Sequence, residues 1–127
     1  MRVLYVCTGN SFRSPVAEAL TRKFHPGMEV ESAGTDPADS IAGNGKELLE
    51  RENARKYVKP SPDPVSQRAI DKADLVVAMM PRHLENLESN YDLSGTETEV
   101  WNVEDPVKPQ VGAAESFERL KQEVLGL

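Results

Sequence analysis

Short apolar runs alternate along the chain with segments in which apolar residues recur at helical spacing. The apolar runs predict four strands, and the segments between and after them predict five helices. The predicted strands are Arg2–Val6, Met28–Ser32, Leu75–Met79 and Thr98–Val103. The predicted helices are Pro15–Phe24, Lys46–Arg55, Val65–Lys72, Pro81–Ser89 and Ala113–Leu125.

The order of these elements predicts an α/β fold. We expect a single three-layer domain over residues 1–127, with a four-stranded parallel sheet covered by helices on both faces. The run 75–79 is the most apolar and predicts a central strand. Ligands of such sheets bind beyond the carboxyl ends of the strands. Cys7 follows the first strand and Asp105 follows the fourth, so we expect both at one edge of the sheet.

Composition narrows the range of functions. Hydrophobic residues make up 39% of the chain and charged residues 28%, and the net charge of −6 argues against nucleic acid as the main partner. A single cysteine cannot form an internal disulfide, which suits a reducing cytoplasm. No long apolar segment predicts a signal peptide or a membrane span. His25 and His83 lack companions at metal-ligand spacing, so we expect no metal and two surface or loop histidines.

The most informative motif is the segment that joins the first strand to the first helix, residues 7–14, which we call the nucleophile loop. Its sequence is Cys7-Thr8-Gly9-Asn10-Ser11-Phe12-Arg13-Ser14. Main-chain N–H groups of such a loop, together with the helix N-terminus behind it, can surround a phosphate-like anion. The same field favours the thiolate form of a cysteine. The segment therefore predicts an oxyanion-binding site with Cys7 as its nucleophile.

Side chains of the nucleophile loop fit this interpretation. Arg13 offers a planar fork for two oxygens of a tetrahedral anion, and the Ser14 hydroxyl can donate to the sulfur. Gly9 permits backbone geometry or a close approach that a side chain would block. A lone cysteine is more often a small buried apolar residue. The spacing of Cys7, Arg13 and Ser14 between a strand and a helix favours the nucleophile.

Cleavage of a phosphate ester by a thiolate also needs an acid for the leaving oxygen. Asp105 is the candidate, because it follows the fourth strand and precedes Pro106. An aspartate before proline is also a common turn residue, and position alone does not separate the two interpretations. The adjacent Glu104 is a competing candidate for the acid.

The chain resembles the low molecular weight protein tyrosine phosphatases, which are related to thioredoxin-coupled arsenate reductases. The matching segments, in the order of that family, are Val6–Pro15, Ser32–Thr35, Ala73–Met79 and Asp105–Pro106. The resemblance implies a phosphocysteine intermediate on Cys7, phosphoryl binding by Arg13, and Asp105 as acid and then base. It also implies that Asn10 and Ser14 shape the loop and stabilise the thiolate. We accordingly expect Thr8, Gly9, Asn10, Ser11, Phe12 and Ser14 to form the substrate-binding loop, with no cofactor.

Three positions depart from the pattern of that family. Members commonly have a second cysteine where this chain has Phe12, and many have a tyrosine where it has Val107. Many also have an aromatic residue in the loop that corresponds to Asp36–Gly45, which contains none. These aromatic residues line a slot for the phenyl ring of phosphotyrosine. The preference for tyrosine over other esters is therefore left open.

Two other functions compete with a phosphatase. An arsenate reductase would use the same loop, because arsenate is also a tetrahedral oxyanion, but with one cysteine it would need an external thiol. A phosphate-binding module without turnover would keep the loop and lose the chemistry. The favoured prediction is a cysteine-dependent phosphatase that acts on a phosphorylated protein or a small phosphate ester. The sequence does not indicate an oligomeric state.

Overall fold

A computed structural model describes residues 1–106 and 112–127; Val107 lies outside the described residues. Within these ranges the chain has four strands, five α-helices and one short 3-10 turn at Arg55–Tyr57. The strands are β1 (Arg2–Cys7), β2 (Glu29–Gly34), β3 (Leu75–Ala78) and β4 (Glu97–Val100). The helices are α1 (Arg13–Phe24), α2 (Gly43–Arg51), α3 (Gln67–Lys72), α4 (Pro81–Asn90) and α5 (Ala113–Leu125).

The strands form a parallel sheet in the order β2-β1-β3-β4. Each strand is followed by a helical segment that returns the chain to the opposite edge, so all four carboxyl ends lie at one edge. The register places Cys7 beside Gly34 and Val6 beside Ala78. The predicted α/β class, the parallel sheet and the central position of the third strand are confirmed.

Alternation along β1 divides its side chains between two apolar cores. Val3, Tyr5 and Cys7 face the core formed with α1, α2 and α5. Leu4 and Val6 face the second core, which α3 and α4 close. The two cores cover both faces of the sheet, as the predicted three-layer arrangement requires. Among the described helices, none is both long enough and apolar enough to span a membrane.

Three predicted boundaries move for local reasons. Helix α1 begins at Arg13 instead of Pro15, so the arginine belongs to the first helical turn. Strand β4 ends at Val100 instead of Val103, because Asn102 adopts a left-handed φ of 57° that interrupts the extended backbone. Helix α2 lies several residues earlier than predicted, and Asn53, also left-handed, follows its end.

Candidate active site

The nucleophile loop packs against segment 35–42 through its carbonyl groups. Main-chain N–H groups of that segment donate at 2.9 or 3.0 Å to the carbonyl oxygens of Cys7, Thr8, Gly9 and Ser11. A trans peptide unit holds its carbonyl and N–H on opposite sides, and the described residues contain no cis peptide bond. The N–H groups that follow these carbonyls therefore point away from segment 35–42. In this orientation they can donate hydrogen bonds to a group bound on the other side of the loop.

Cys7 is buried at the end of β1, and its sulfur lies 2.9 Å from Ser14 Oγ. Asn10, which turns the loop with a left-handed φ of 51°, donates from Nδ2 to Ser14 Oγ at 2.8 Å. Because Ser14 Oγ already accepts this bond, its own hydrogen is available for the sulfur or for Ala33 O at 3.5 Å. The hydroxyl can therefore stabilise a thiolate at Cys7.

A second branch of this network runs from the loop into α1. Asn10 Nδ2 also donates to Ser32 Oγ at 2.9 Å, and Ser32 donates to the buried carboxylate of Glu18 at 2.6 Å. Glu18 in turn pairs with Arg22 at 3.0 Å. Buried polar groups need such partners, so the branch compensates the burial of Glu18 and fixes the side chain of Asn10.

The segment after the 3-10 turn holds Asn10 from the other side. Lys59 Nζ donates to Asn10 Oδ1 at 2.7 Å and to Ser32 O at 2.8 Å, and it pairs with Asp63 at 2.8 Å. The Asp63 N–H also donates to Asn10 Oδ1, at 2.9 Å. Both polar ends of the Asn10 amide are therefore satisfied, and its orientation is determined.

Arg13 occupies the first residue of α1 and is 3% exposed. Its Nη1 donates to Val103 O at 3.1 Å, and its Nη2 lies 3.8 Å from Asp105 Oδ2. Burial lowers the pKa of Arg13, while the charges of Cys7 and Asp105 oppose that shift. The ordinary value is so high that the guanidinium stays charged. A fixed cation thus lies between the loop and the segment after β4.

The two neighbouring acids after β4 point to different partners. Asp105, whose side chain is 29% exposed, faces Arg13. Glu104 instead faces α4, with Oε1 3.9 Å from Arg82 Nη1. The two acids that the sequence left as competing candidates therefore differ in the side chain that each one faces.

A cavity of about 270 Å³ opens over the nucleophile loop, and Cys7, Arg13 and Asp105 all line it. Phe12 also lines it, although most of that ring is buried beside Gly45. The remaining wall consists of small or polar residues, namely Gly9, Ser11, Ala38, Ala42, Asn44 and Pro106. Asn10 and Ser14 are fully buried and lie behind this wall. Phe12 is therefore the one aromatic side chain in the described wall.

The expectation of two surface or loop histidines is wrong for His83. Its ring is 2% exposed on α4 and lies 2.8 Å from Thr8 Oγ1. The reason is the position of α4, which begins at the same sheet edge as the nucleophile loop. His25 is half-buried after α1, where Nε2 donates to Val124 O at 2.7 Å.

The model of the family described as "low molecular weight phosphotyrosine protein phosphatase" matches residues 2–125. The chain belongs to this family. Low molecular weight protein-tyrosine-phosphatase Wzb of Escherichia coli K12 is 38% identical over 94 residues, which cover 67% of this chain and 58% of that protein. The match therefore spans little more than half of the length of that relative.

Two further comparisons extend over the whole domain of this family member. Low molecular weight protein-tyrosine-phosphatase PtpB of Staphylococcus aureus is 26% identical across 100% of this chain and 94% of that protein. The structure of Vibrio vulnificus Wzb in complex with benzylphosphonate covers 98% of this chain and 94% of its own, with a TM-score of 0.86 and 17% identity. At that identity the likeness concerns the fold.

Several residues around the nucleophile loop were not predicted from the sequence. Glu18 could have been predicted from its spacing, because it lies one helical turn after Ser14 on the same face of α1. Lys59 carries no such signal: it lies in a proline-rich connector, and its contact with Asn10 joins positions 49 residues apart. His83 had no motif around it, and only the tertiary fold brings it to Thr8.

Proposed function

We propose that this chain is a phosphomonoester hydrolase of the protein tyrosine phosphatase type. Cys7 is the nucleophile and forms a phosphocysteine intermediate, Arg13 binds the phosphoryl group, and Asp105 is the general acid and base. Backbone N–H groups of the nucleophile loop bind the phosphoryl oxygens. Residues 1–127 form the domain that carries this activity.

One observation carries the proposal: Cys7, Arg13 and Asp105 line the same cavity although they come from both ends of the chain. The sulfur has a hydroxyl donor in Ser14, and the guanidinium lies between the loop and the acid. A nucleophile, a cation for the anion and a proton donor are the groups that phosphoryl transfer through a thiolate requires. Family membership agrees with this assignment.

In the first step the Cys7 thiolate attacks phosphorus on the side opposite the ester oxygen. A sulfur–phosphorus bond forms, the phosphorus–oxygen ester bond breaks, and Asp105 gives its proton to the leaving oxygen. Arg13 and the loop N–H groups hold the three remaining oxygens, on which negative charge is concentrated. An alcohol or phenol leaves, and the phosphoryl group stays on sulfur.

In the second step a water molecule attacks the phosphocysteine. Asp105, now ionised, accepts a proton from that water, the sulfur–phosphorus bond breaks, and inorganic phosphate forms. Ser14 donates to the sulfur as it becomes a thiolate leaving group, because its hydroxyl hydrogen is not used by Asn10. Asp105 ends the cycle protonated, as it began. No redox partner takes part.

The substrate is a phosphorylated protein or a small phosphate ester. The cavity has a volume of about 270 Å³ and a wall of mostly small residues, which leaves room for one phosphorylated side chain. Aryl phosphates are the favoured class, because a phenolic oxygen leaves more easily than an alkyl oxygen. Among the described wall residues only Phe12 offers an aromatic contact, so we expect a modest preference for tyrosine.

A reducing compartment such as the cytoplasm is the proposed location. The activity needs Cys7 as a free thiolate, and the chain has no second cysteine that could protect it as a reversible internal disulfide. An oxidising compartment would convert the nucleophile to sulfenic or higher acids.

The proposal is tested by steady-state hydrolysis of a phosphotyrosine peptide, its phosphoserine counterpart and p-nitrophenyl phosphate. Cys7→Ser, which keeps the loop and removes the thiolate, is the matched control. We expect the wild type to hydrolyse both aryl substrates, and to hydrolyse the phosphoserine peptide about tenfold more slowly. Arsenate-dependent oxidation of an added small thiol is measured in parallel.

Three outcomes contradict the proposal. Absence of turnover together with tight phosphate binding indicates a binding module. Efficient arsenate-dependent thiol oxidation without ester hydrolysis indicates the reductase. Hydrolysis by Cys7→Ser at the wild-type rate removes Cys7 as the nucleophile.

A further inference from the structure

The ring of His83 makes two hydrogen bonds that determine its tautomer. The main-chain N–H of Met80, at the start of α4, donates to Nδ1 at 3.1 Å. Because a main-chain N–H can only donate, Nδ1 carries no proton. The proton of a neutral ring is then on Nε2, which lies 2.8 Å from Thr8 Oγ1. His83 is therefore the donor and the Thr8 hydroxyl the acceptor.

Thr8 follows the nucleophile directly. Its carbonyl accepts from the Asp36 N–H at 2.9 Å, so one polar group of Thr8 is held by segment 35–42. The hydroxyl is held by His83 from a different element. Two contacts from independent parts of the fold thus determine the position of the residue next to Cys7.

The His83 side of this contact belongs to helix α4 and not to a loop. Pro81 occupies its first position, where the fixed φ of proline suits a helix start. Leu87, six residues after Pro81, is fully buried in the core against the sheet. A side chain on the first turn of such a helix is held more accurately than one on a loop.

We propose that His83 is a positioning residue of the candidate active site, which holds the nucleophile loop in its oxyanion-binding conformation through a hydrogen bond from Nε2 to Thr8 Oγ1. The effect on the anion is indirect, because Thr8 is between His83 and the loop N–H groups. The proposal rests on the proposed function in taking the nucleophile loop as the oxyanion site. It adds a residue that the loop motif does not contain.

The surroundings of the ring keep it in the required form. Burial, and then the charges of Arg13 and Arg82, lower the pKa of His83 from 6.5 to about 4, and Asp105 acts in the opposite direction. The ring is therefore neutral at neutral pH, and Nδ1 stays free to accept from Met80. A second proton would place a donor against the Met80 N–H and break this arrangement.

The test measures the Kd of inorganic phosphate by calorimetry for three single variants. His83→Asn keeps an acceptor near the Nδ1 position but is too short to reach Thr8, and we expect binding to weaken about 3- to 10-fold, the effect of one hydrogen bond. His83→Gln, which reaches further, restores Kd to within about twofold. Thr8→Val removes the same bond from the other side and weakens binding by a similar factor.

The double variant Thr8→Val/His83→Asn decides whether the two residues act through one contact. We expect the double variant to bind phosphate no more weakly than the single variant with the higher Kd, because either single change already removes the contact. Fully multiplicative losses, or a His83→Asn protein that binds phosphate as the wild type does, overturn the proposal. If His83→Asn does not fold, the Kd of Thr8→Val decides: wild-type affinity in that variant overturns the proposal.

His25 supplies a matched control, since it is the other histidine and also donates from Nε2, here to Val124 O. His25→Asn removes a comparable bond away from the loop. We expect it to lower the melting temperature and leave the phosphate Kd unchanged. If His83 had only a structural role, His83→Asn would likewise lower the melting temperature and leave the phosphate Kd unchanged.

Nuclear magnetic resonance separates this proposal from the proposed function. The ¹⁵N shifts of the His83 ring should show protonated Nε2 and unprotonated Nδ1 at pH 7, and His83→Asn should speed amide exchange in residues 8–13 more than His25→Asn does. These readouts need neither turnover nor phosphate binding. A charged ring, a proton on Nδ1 or equal exchange in the two variants overturns the positioning role. If the wild type shows these readouts but does not hydrolyse phosphate esters, the phosphatase function is overturned and the positioning role is not.

Discussion

At the scale of single residues, Arg13 is held by contacts that a lysine cannot reproduce. One nitrogen of its fork donates to Val103 O, which leaves the other edge of the guanidinium for Asp105 or for two phosphoryl oxygens. We predict that Arg13→Lys lowers kcat/KM for p-nitrophenyl phosphate by about 10²- to 10³-fold, although the charge is kept. Steady-state kinetics with a check of folding by circular dichroism measure this. Retention of near wild-type kcat/KM would mean that Arg13 does not bind the phosphoryl group.

The role proposed for Asp105 depends on the leaving group. A phenolate of high pKa leaves slowly unless it is protonated, whereas nitrophenolate leaves with little help. We predict that Asp105→Asn slows hydrolysis of a phosphotyrosine peptide by about 10²- to 10⁴-fold and of p-nitrophenyl phosphate by less. The measurement is kcat/KM for a series of aryl phosphates, plotted against the pKa of the leaving phenol.

Glu104→Gln is the control for this prediction, because Glu104 is the neighbouring acid but faces Arg82. We expect its dependence on the leaving group to equal that of the wild type. A plot for Asp105→Asn that is no steeper than the wild-type plot would remove Asp105 as the acid. A steeper plot for Glu104→Gln would assign the role to Glu104.

At the scale of elements, the end of β2 touches the nucleophile loop so closely that only glycine fits. A Cβ at Gly34 would lie 2.5 Å from Thr8 O and 3.0 Å from Asn10 N, both main-chain atoms that cannot rotate away. We predict that Gly34→Ala destabilises the fold by about 1 to 3 kcal/mol through overpacking. It should also weaken phosphate binding, because the displaced atoms belong to the loop.

Gly43→Ala is the matched control for that change, since nothing lies within 4 Å of a Cβ built at Gly43 in α2. There the added methyl group should be neutral or slightly stabilising, as for alanine in a helix. Urea denaturation and phosphate titration of both variants give the comparison. Equal stability of the two proteins would contradict the close contact at Gly34.

Elements with strong apolar periodicity could be predicted from the sequence. The run 75–79 predicted a central strand, which the structure has as Leu75–Ala78, and the predicted bounds of α5, Ala113 and Leu125, agree with the structure. The spacing of apolar residues in these elements reflects which positions are buried, and that spacing can be seen in the sequence. The parallel order of the sheet then followed from the alternation of strands and helices.

Boundaries set by single backbone conformations could not be predicted in the same way. Asn102 ends β4 by a left-handed φ, although Trp101 and Val103 still donate to the carbonyls of Ala78 and Met79. Asparagine tolerates this conformation without requiring it. The apolar pattern therefore continued past the end of the regular strand.

The central residues of the candidate site could be predicted because the loop motif is continuous in sequence. Cys7 and Arg13 are six positions apart, and the sheet topology brought Asp105 to the same edge. Lys59 and His83 could not be predicted, since each reaches the loop across a long sequence separation. Such contacts depend on tertiary geometry that local patterns do not encode.

At the scale of the whole molecule, one edge of the sheet collects groups from every part of the chain. The nucleophile loop follows β1, its supporting segment follows β2, α4 follows β3 and Asp105 lies after β4. The site is therefore coupled to global folding, because its groups separate when the sheet unfolds. Changes in the ionisation of a buried group at this edge should then appear in the stability of the whole domain.

His83 makes this coupling measurable. Its pKa is lowered from 6.5 to about 4 in the folded protein, chiefly by burial and then by Arg13 and Arg82, against the opposite effect of Asp105. Between these values the unfolded chain binds a proton that the folded protein does not. The stability contributed by the neutral ring is thus fully present above pH 6.5 and is lost as the pH falls towards 4.

We predict that the free energy of unfolding of the wild type falls more steeply between pH 6.5 and 4.5 than that of His83→Gln, by about 2 to 3 kcal/mol over that range. Glutamine keeps hydrogen-bonding groups at position 83 but does not titrate there. Carboxylates also gain protons as the pH falls, but they do so in both proteins, so the difference between the two curves isolates the ring. Urea unfolding at intervals of half a pH unit supplies the curves. Parallel curves would mean that the folded protein accepts the proton on His83 as readily as the unfolded chain, and a steeper fall for His83→Gln would reverse the sign of the shift.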